Sequence, residues 1–147
     1  MTNITFLAGD IGGTKSILGI YKLSNTLTNI FNCELASGEH DSMNTLLENF
    51  YDKLPKDIKK PEYGCLAVAG IVNNGIAKMT NLGWEINEEE LRQSFYLKKL
   101  ELINDFSVLI YGLPFLKRDQ YLNIQNEKDI SNEISTVAII GAGTGLG

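Results

Sequence analysis

The chain has 147 residues, 44% hydrophobic and 21% charged, with 14 glycines and three prolines. That length suits one domain, or one domain and part of another, and that balance excludes collagen-like, coiled-coil and wholly disordered readings. Thirteen basic residues against eighteen acidic ones give a formal charge of −5 with no Lys/Arg block, so neither nucleic acid nor an anionic membrane surface is an expected partner. Cys33 and Cys65 lie in apolar runs without metal-ligand spacing and read as buried thiols, and the single histidine, His40, leaves little for a zinc site or a triad. No run reaches the ~20 apolar residues of a membrane span, and the start, Met1–Thr5, lacks the basic opening of a secretory signal. The chain reads as cytoplasmic.

In chain order, residues 4–8 are a predicted strand, broken by Gly9-Asp10-Ile11-Gly12-Gly13. Residues 16–23 and 27–35 follow as two more strands with Ser24-Asn25 between them, an antiparallel meander. Residues 41–54 carry Met43, Leu46, Leu47, Phe50, Tyr51 and Leu54 on one helical stripe, with Asp41 as the expected N-cap and Pro55 as the stop. Lys56–Lys60 is a basic connector, 63–68 a strand, and Asn73-Asn74-Gly75 a hairpin signal ahead of Ile76–Met79. Asn87 with Glu90 predicts a capped short helix stapled by Ile86 and Leu91. Residues 100–103 are a strand, after which Asn104-Asp105 is expected to cap an apolar helix over 106–113 that Pro114 ends. Residues 117–135 are polar and weakly patterned, a crossover or loop. The strand Val137–Ile140 runs into Gly141, Gly143, Gly145 and Gly147, which predicts that the chain continues past this point as part of a longer protein. Strands first, then alternating helices and strands, give an α/β class with a mixed sheet and helices on its faces.

Four segments could carry chemistry. Gly9-Asp10-Ile11-Gly12-Gly13-Thr14-Lys15 could bring backbone N–H groups close to an anion. It is not a P-loop, because Thr14 takes the place of the second glycine and a strand, not a helix, follows. A plain hairpin is the alternative. The glycine run after Val137–Ile140 misses the dinucleotide fingerprint at Leu146 and suits either a phosphate-contacting loop offering the Thr144 hydroxyl or a linker. Asp105, at a strand end, is a candidate proton acceptor or a simple cap. Thr80-Asn81 with Ala69-Gly70 upstream could line a polyol site, Asn both donating and accepting, or form a turn beside a buried Trp84.

Together and in this order, these segments resemble the bacterial glucokinase family, a group of sugar kinases sharing the actin/hexokinase ATPase fold, which is ribonuclease H-like. The resemblance implies an ATP-dependent hexose kinase, of which this chain is the N-terminal portion. It implies a small lobe over 1–113 and the start of a larger lobe over 114–147. Gly9, Asp10, Ile11, Gly12, Gly13 and Thr14 would form the first phosphate hairpin, with Asp10 holding Mg²⁺, and Gly143, Thr144 and Gly145 the second. Asp105 would be the catalytic base facing the sugar's 6-hydroxyl, with Asn81 and Asn104 positioning the sugar or its loop. ATP and Mg²⁺ are the implied cofactors, a hexose the implied partner, and a homodimer an open oligomeric state. Lys15 stands where asparagine is common in the family, and Gly70 where proline is often seen, which leaves the preferred hexose open. A sugar-binding regulator of the related repressor/kinase group and an actin-like ATPase without a sugar substrate are the competing classes.

Overall fold

The computed structural model describes residues 4–122, 124 and 139–141. The chain divides after Asp105 into two compact units.

The first unit is built on a five-stranded mixed sheet. Its strands are β1 (Ile4–Ile11), β2 (Lys15–Leu23), β3 (Leu27–Ala36), β4 (Tyr63–Val68) and, last in the chain, β8 (Lys99–Asn104), ordered β3-β2-β1-β4-β8. β1, β2 and β3 pair antiparallel, the expected meander, while β4 and β8 lie parallel to β1. The registers put Leu7 and Ile11, Leu18 and Ile20, Leu66 and Val68, and Leu100 and Leu102 on one face, all nearly inaccessible. Period-two alternation therefore selects a single core face. The other face presents Phe6, Ile17, Tyr21, Tyr63 and Cys65, and Tyr63 is 41% exposed. Both cysteines are free and only half-buried, contrary to expectation. Cys65 points to that outer face, and Cys33 lies on the edge strand β3.

The first glycine segment does not break β1, which runs on through Ile11. Gly9 sits inside the strand opposite Leu18 and Leu66, where a Cβ would come within 2.6 and 2.7 Å of their Cδ2 atoms. Its missing side chain is filled by those leucines.

Helix α1 (Met43–Asp52) buries Met43, Leu46, Leu47, Phe50 and Tyr51, the predicted stripe. Burying five such side chains contributes on the order of 1.5–3 kcal/mol each. Its N-cap is Ser42, not Asp41: the Ser42 hydroxyl accepts from the Thr45 N–H at 3.3 Å and the Thr45 hydroxyl accepts from the Ser42 N–H at 3.1 Å. That reciprocal pair satisfies two donors at once, which a lone Asp41 one residue earlier cannot do.

A second sheet contains β5 (Ile71–Asn73), β6 (Ile76–Met79) and β7 (Trp84–Asn87) in that order, all antiparallel. Asn74 and Gly75 form the predicted two-residue turn with φ of 49° and 73°, as a type I′ hairpin requires. Ala77, Met79, Trp84 and Ile86 join the core. Helix α2 (Glu88–Ser94) is capped by Asn87, whose Oδ1 accepts from Glu89 and Glu90 at 3.0 and 3.3 Å. Ile86 and Leu91 are both buried, as the staple predicts.

In the second unit, the expected helix over 106–113 is reduced to α3 (Leu109–Gly112). Residues 105–108 are turn, and α3 starts on Val108 without a side-chain cap bond. Asp105 therefore does not sit at a helix N-terminus, and the dipole has no part in holding its charge. Pro114 lies in a 3₁₀ turn, Leu113–Phe115, followed by another over Arg118–Gln120. Ile139 and Ile140 are described and belong to no strand. The rest of the expected strand, Val137 and Ala138, lies outside the described residues, as does most of 117–135 beyond Leu122.

Candidate functional site

β1, β4 and β8 run parallel, so their C-terminal ends meet at one edge, where open α/β sheets bind ligands. Ile11, Val68 and Asn104 stand level. The chain leaves that edge through Gly12-Gly13, Ala69-Gly70 and Asp105. Backbone bonds tie the three exits together: Ala69 N–H to the Ile11 carbonyl at 2.9 Å, and both Gly70 N–H (2.8 Å) and Asp105 N–H (2.9 Å) to the Val68 carbonyl.

The first hairpin is Gly12–Thr14, and β2 follows directly, which excludes a P-loop. Gly12 N–H donates to the Lys15 carbonyl at 3.0 Å, and a Cβ on Gly12 would lie 2.8 Å from that oxygen. Gly12 thus closes the turn, leaving Gly13 and Thr14 to supply any anion donors. The hairpin is anchored from behind: Ser37 N–H donates to the Thr14 carbonyl at 3.0 Å, and the buried Ser16 and Ser37 hydroxyls pair at 2.9 Å. The sequence reading missed this anchor. Its signal was Ser16, a polar residue in the same alternating register as Leu18 and Ile20. Lys15 pairs with Glu34 at 3.3 Å across an exposed surface.

Asp10, the penultimate residue of β1, is exposed and opposite Ile17 and Ala67. Among the described residues no three His, Cys, Asp or Glu side chains gather into a metal cage. Asp10 nevertheless fits Mg²⁺, which commonly takes one or two carboxylates and completes its shell with phosphate oxygens and water.

The turn after β6 brings Asn81 to the hairpin: a Cβ on Gly13 would lie 3.0 Å from Asn81 Cβ and 3.2 Å from its Nδ2. Asn104, at the end of β8, donates from Nδ2 to the Gly70 carbonyl and to Asp105 Oδ1, each at 2.9 Å. Gly70 is fixed in turn, since any Cβ there would run into the Lys78 carbonyl. A cavity of about 870 Å³ opens beside these groups, its wall including Gly70, Thr80 and Asn104 with Ile71, Val72 and Ile76 of the β5–β6 hairpin. Asp10, Gly12, Gly13, Asn81, Asn104 and Asp105 thus share one edge of the first unit. Gly143, Thr144 and Gly145 lie outside the described residues. Gly141 is described, its backbone packed against the Phe106 ring within the second unit.

A mixed sheet of this order, with glycine hairpin and acidic residue at the shared strand edge, belongs to the actin-like ATPase fold of the sugar kinases. Residues 7–147 match the family model described as Glucokinase. The glucokinase of Nostoc sp. (strain PCC 7120) is 41% identical over 96% of this chain, and that of Trichormus variabilis 40% identical over the same share. Among solved structures, glucokinase from an Antarctic psychrotroph superimposes with a TM-score of 0.80 at 32% identity, covering 97% of this chain and 44% of the other. A ROK family protein from Streptococcus pneumoniae shares the fold at 19% identity and a TM-score of 0.54. The chain belongs to the glucokinase family. It spans about 41% of the length of the Nostoc and Trichormus relatives.

Proposed function

We propose that the chain carries the first lobe, and the opening of the second near residues 113–114, of an ATP-dependent hexose kinase that converts glucose to glucose 6-phosphate in the cytoplasm. The family match supports the reading, and one observation carries it: the candidate acid–base group, the glycine hairpin and the two asparagines converge on a single strand edge. In this mechanism Asp105 accepts the proton of the sugar's primary hydroxyl. The freed oxygen pair bonds to the γ-phosphorus as the bond to the bridging oxygen breaks, and that electron pair leaves with ADP. Such transfer relies on positioning and charge stabilisation more than on covalent help. Gly13 and Thr14 N–H groups would hold phosphate, Asp10 would hold Mg²⁺, and the metal, when bound, neutralises charge developing on the phosphates. Asn81 would set the hairpin against the sugar-side turn.

The test is Asp105→Ala in the complete gene product, assayed by glucose-dependent ADP release. Removing a base that acts in the transition state is expected to lower kcat by ~10²-fold or more while KM for glucose changes little. A variant keeping more than about a tenth of the parental kcat would remove Asp105 from the chemistry. The same assay with other hexoses fixes the substrate range, and release of ADP without any sugar would favour the non-sugar ATPase.

A further inference from the structure

We infer that Asn104 is a positioning residue that acts on the reaction through Asp105, not a ligand of the sugar through its amide nitrogen; this rests on the reading of Asp105 as the base. Both groups facing Nδ2, the Gly70 carbonyl and Asp105 Oδ1, are acceptors, so the amide can only present nitrogen to them. A primary amide nitrogen carries two protons, and the two bonds commit both. At most the amide oxygen can meet a sugar hydroxyl.

The clamp closes on rigid parts. The Val68 carbonyl accepts from Gly70 N–H and from Asp105 N–H, and Asn104 bridges the same two residues from the side-chain direction. The ring Val68–Gly70–Asn104–Asp105 thus ties the carboxylate to the ends of two parallel strands. Gly70 cannot shift outward without displacing Lys78 of β6. A carboxylate held at one oxygen in this way keeps a fixed plane, and a base must meet its proton within hydrogen-bond reach. Misplacement of about 1 Å can cost 10²-fold in rate.

The experiment is a double-mutant cycle in the complete gene product: Asn104→Ala, Asp105→Ala and the pair, with kcat and KM for glucose measured for each and thermal unfolding in parallel. Asn104→Ala is expected to lower kcat about 10–100-fold with KM nearly unchanged. In the Asp105→Ala background the same change should lower the residual rate no further, because the group it positions is gone. A rise in KM that persists in that background would make Asn104 a sugar ligand and overturn the inference. Asn104→Asp, equal in shape but unable to donate, should reproduce the loss of kcat and stands in if the alanine variant does not fold. Failure of both Asn104 variants to fold would assign the residue to structure alone, overturning the inference as well. The two readings separate cleanly: an active Asp105→Ala sinks the base, whereas an inactive Asp105→Ala beside a fully active Asn104→Ala sinks only the clamp.

Discussion

Tyr51 shows how a single buried atom shapes stability. Its ring packs against Phe50 and Phe95, with the Lys60 ammonium 4.7 Å from the ring centroid. Its hydroxyl is buried without a hydrogen-bond partner, and burial pushes its pKa up to about 12. An unsatisfied buried hydroxyl costs ~1–3 kcal/mol, so Tyr51→Phe is expected to raise stability by about 1 kcal/mol at neutral pH. The folded pKa lies above the unfolded value near 10, so the protonated form favours folding. That contribution is whole below about pH 10 and is lost as pH rises toward about 12. Tyr51→Phe should therefore flatten the alkaline fall in the urea midpoint. A lower midpoint for the variant at pH 7 would show that the hydroxyl contributes favourably. The stripe placing Tyr51 inside was readable from spacing, but its orphaned oxygen was not, because satisfaction depends on neighbours distant in sequence. Gly9 teaches the same: composition marked it as loop, and only the leucines of β2 and β4 show why a strand needs it.

At the scale of elements, local chemistry predicted well where it was self-contained. The Asn74-Gly75 turn, the α1 stripe and the Asn87 cap depend on residues within a few positions of one another, and all appear as expected. The α1 cap shifted by one residue because Thr45 answers Ser42. Ser42→Ala should cost about 1 kcal/mol, read as a lower thermal midpoint; an unchanged midpoint would show that Asp41 takes over. The helix expected after Asp105 shortened to α3, although Phe106–Leu113 is apolar enough to suggest more. None of the residues of α3 is buried, and short helices gain most of their stability from a packed face. β5 and β7 escaped the sequence reading because three- and four-residue strands carry too little alternation to register.

For the whole molecule, the order of motifs gave the family, and the strand edge gave the site. Neither Asn104's bridge nor the Ser37 anchor could be read in advance, since each joins residues across the fold: 34 positions separate Asn104 from Gly70, and 21 separate Ser16 from Ser37. Kinases of this kind close two lobes around their substrates to exclude water. Residues 1–147 cover about 41% of the Nostoc relative, so expressed by themselves they are expected to release no ADP above a no-enzyme control. Turnover that Asp105→Ala abolishes would show that this stretch alone builds a working site. The single tryptophan gives such experiments a built-in lamp. Trp84 lies paired with Met79 in the core, 7% exposed, and the turn between them carries Asn81 to the hairpin. All indole emission from the chain therefore originates beside the sugar-side turn. A shift in its colour on adding glucose would register movement of that turn without any label, and loss of the core would announce itself in the same channel.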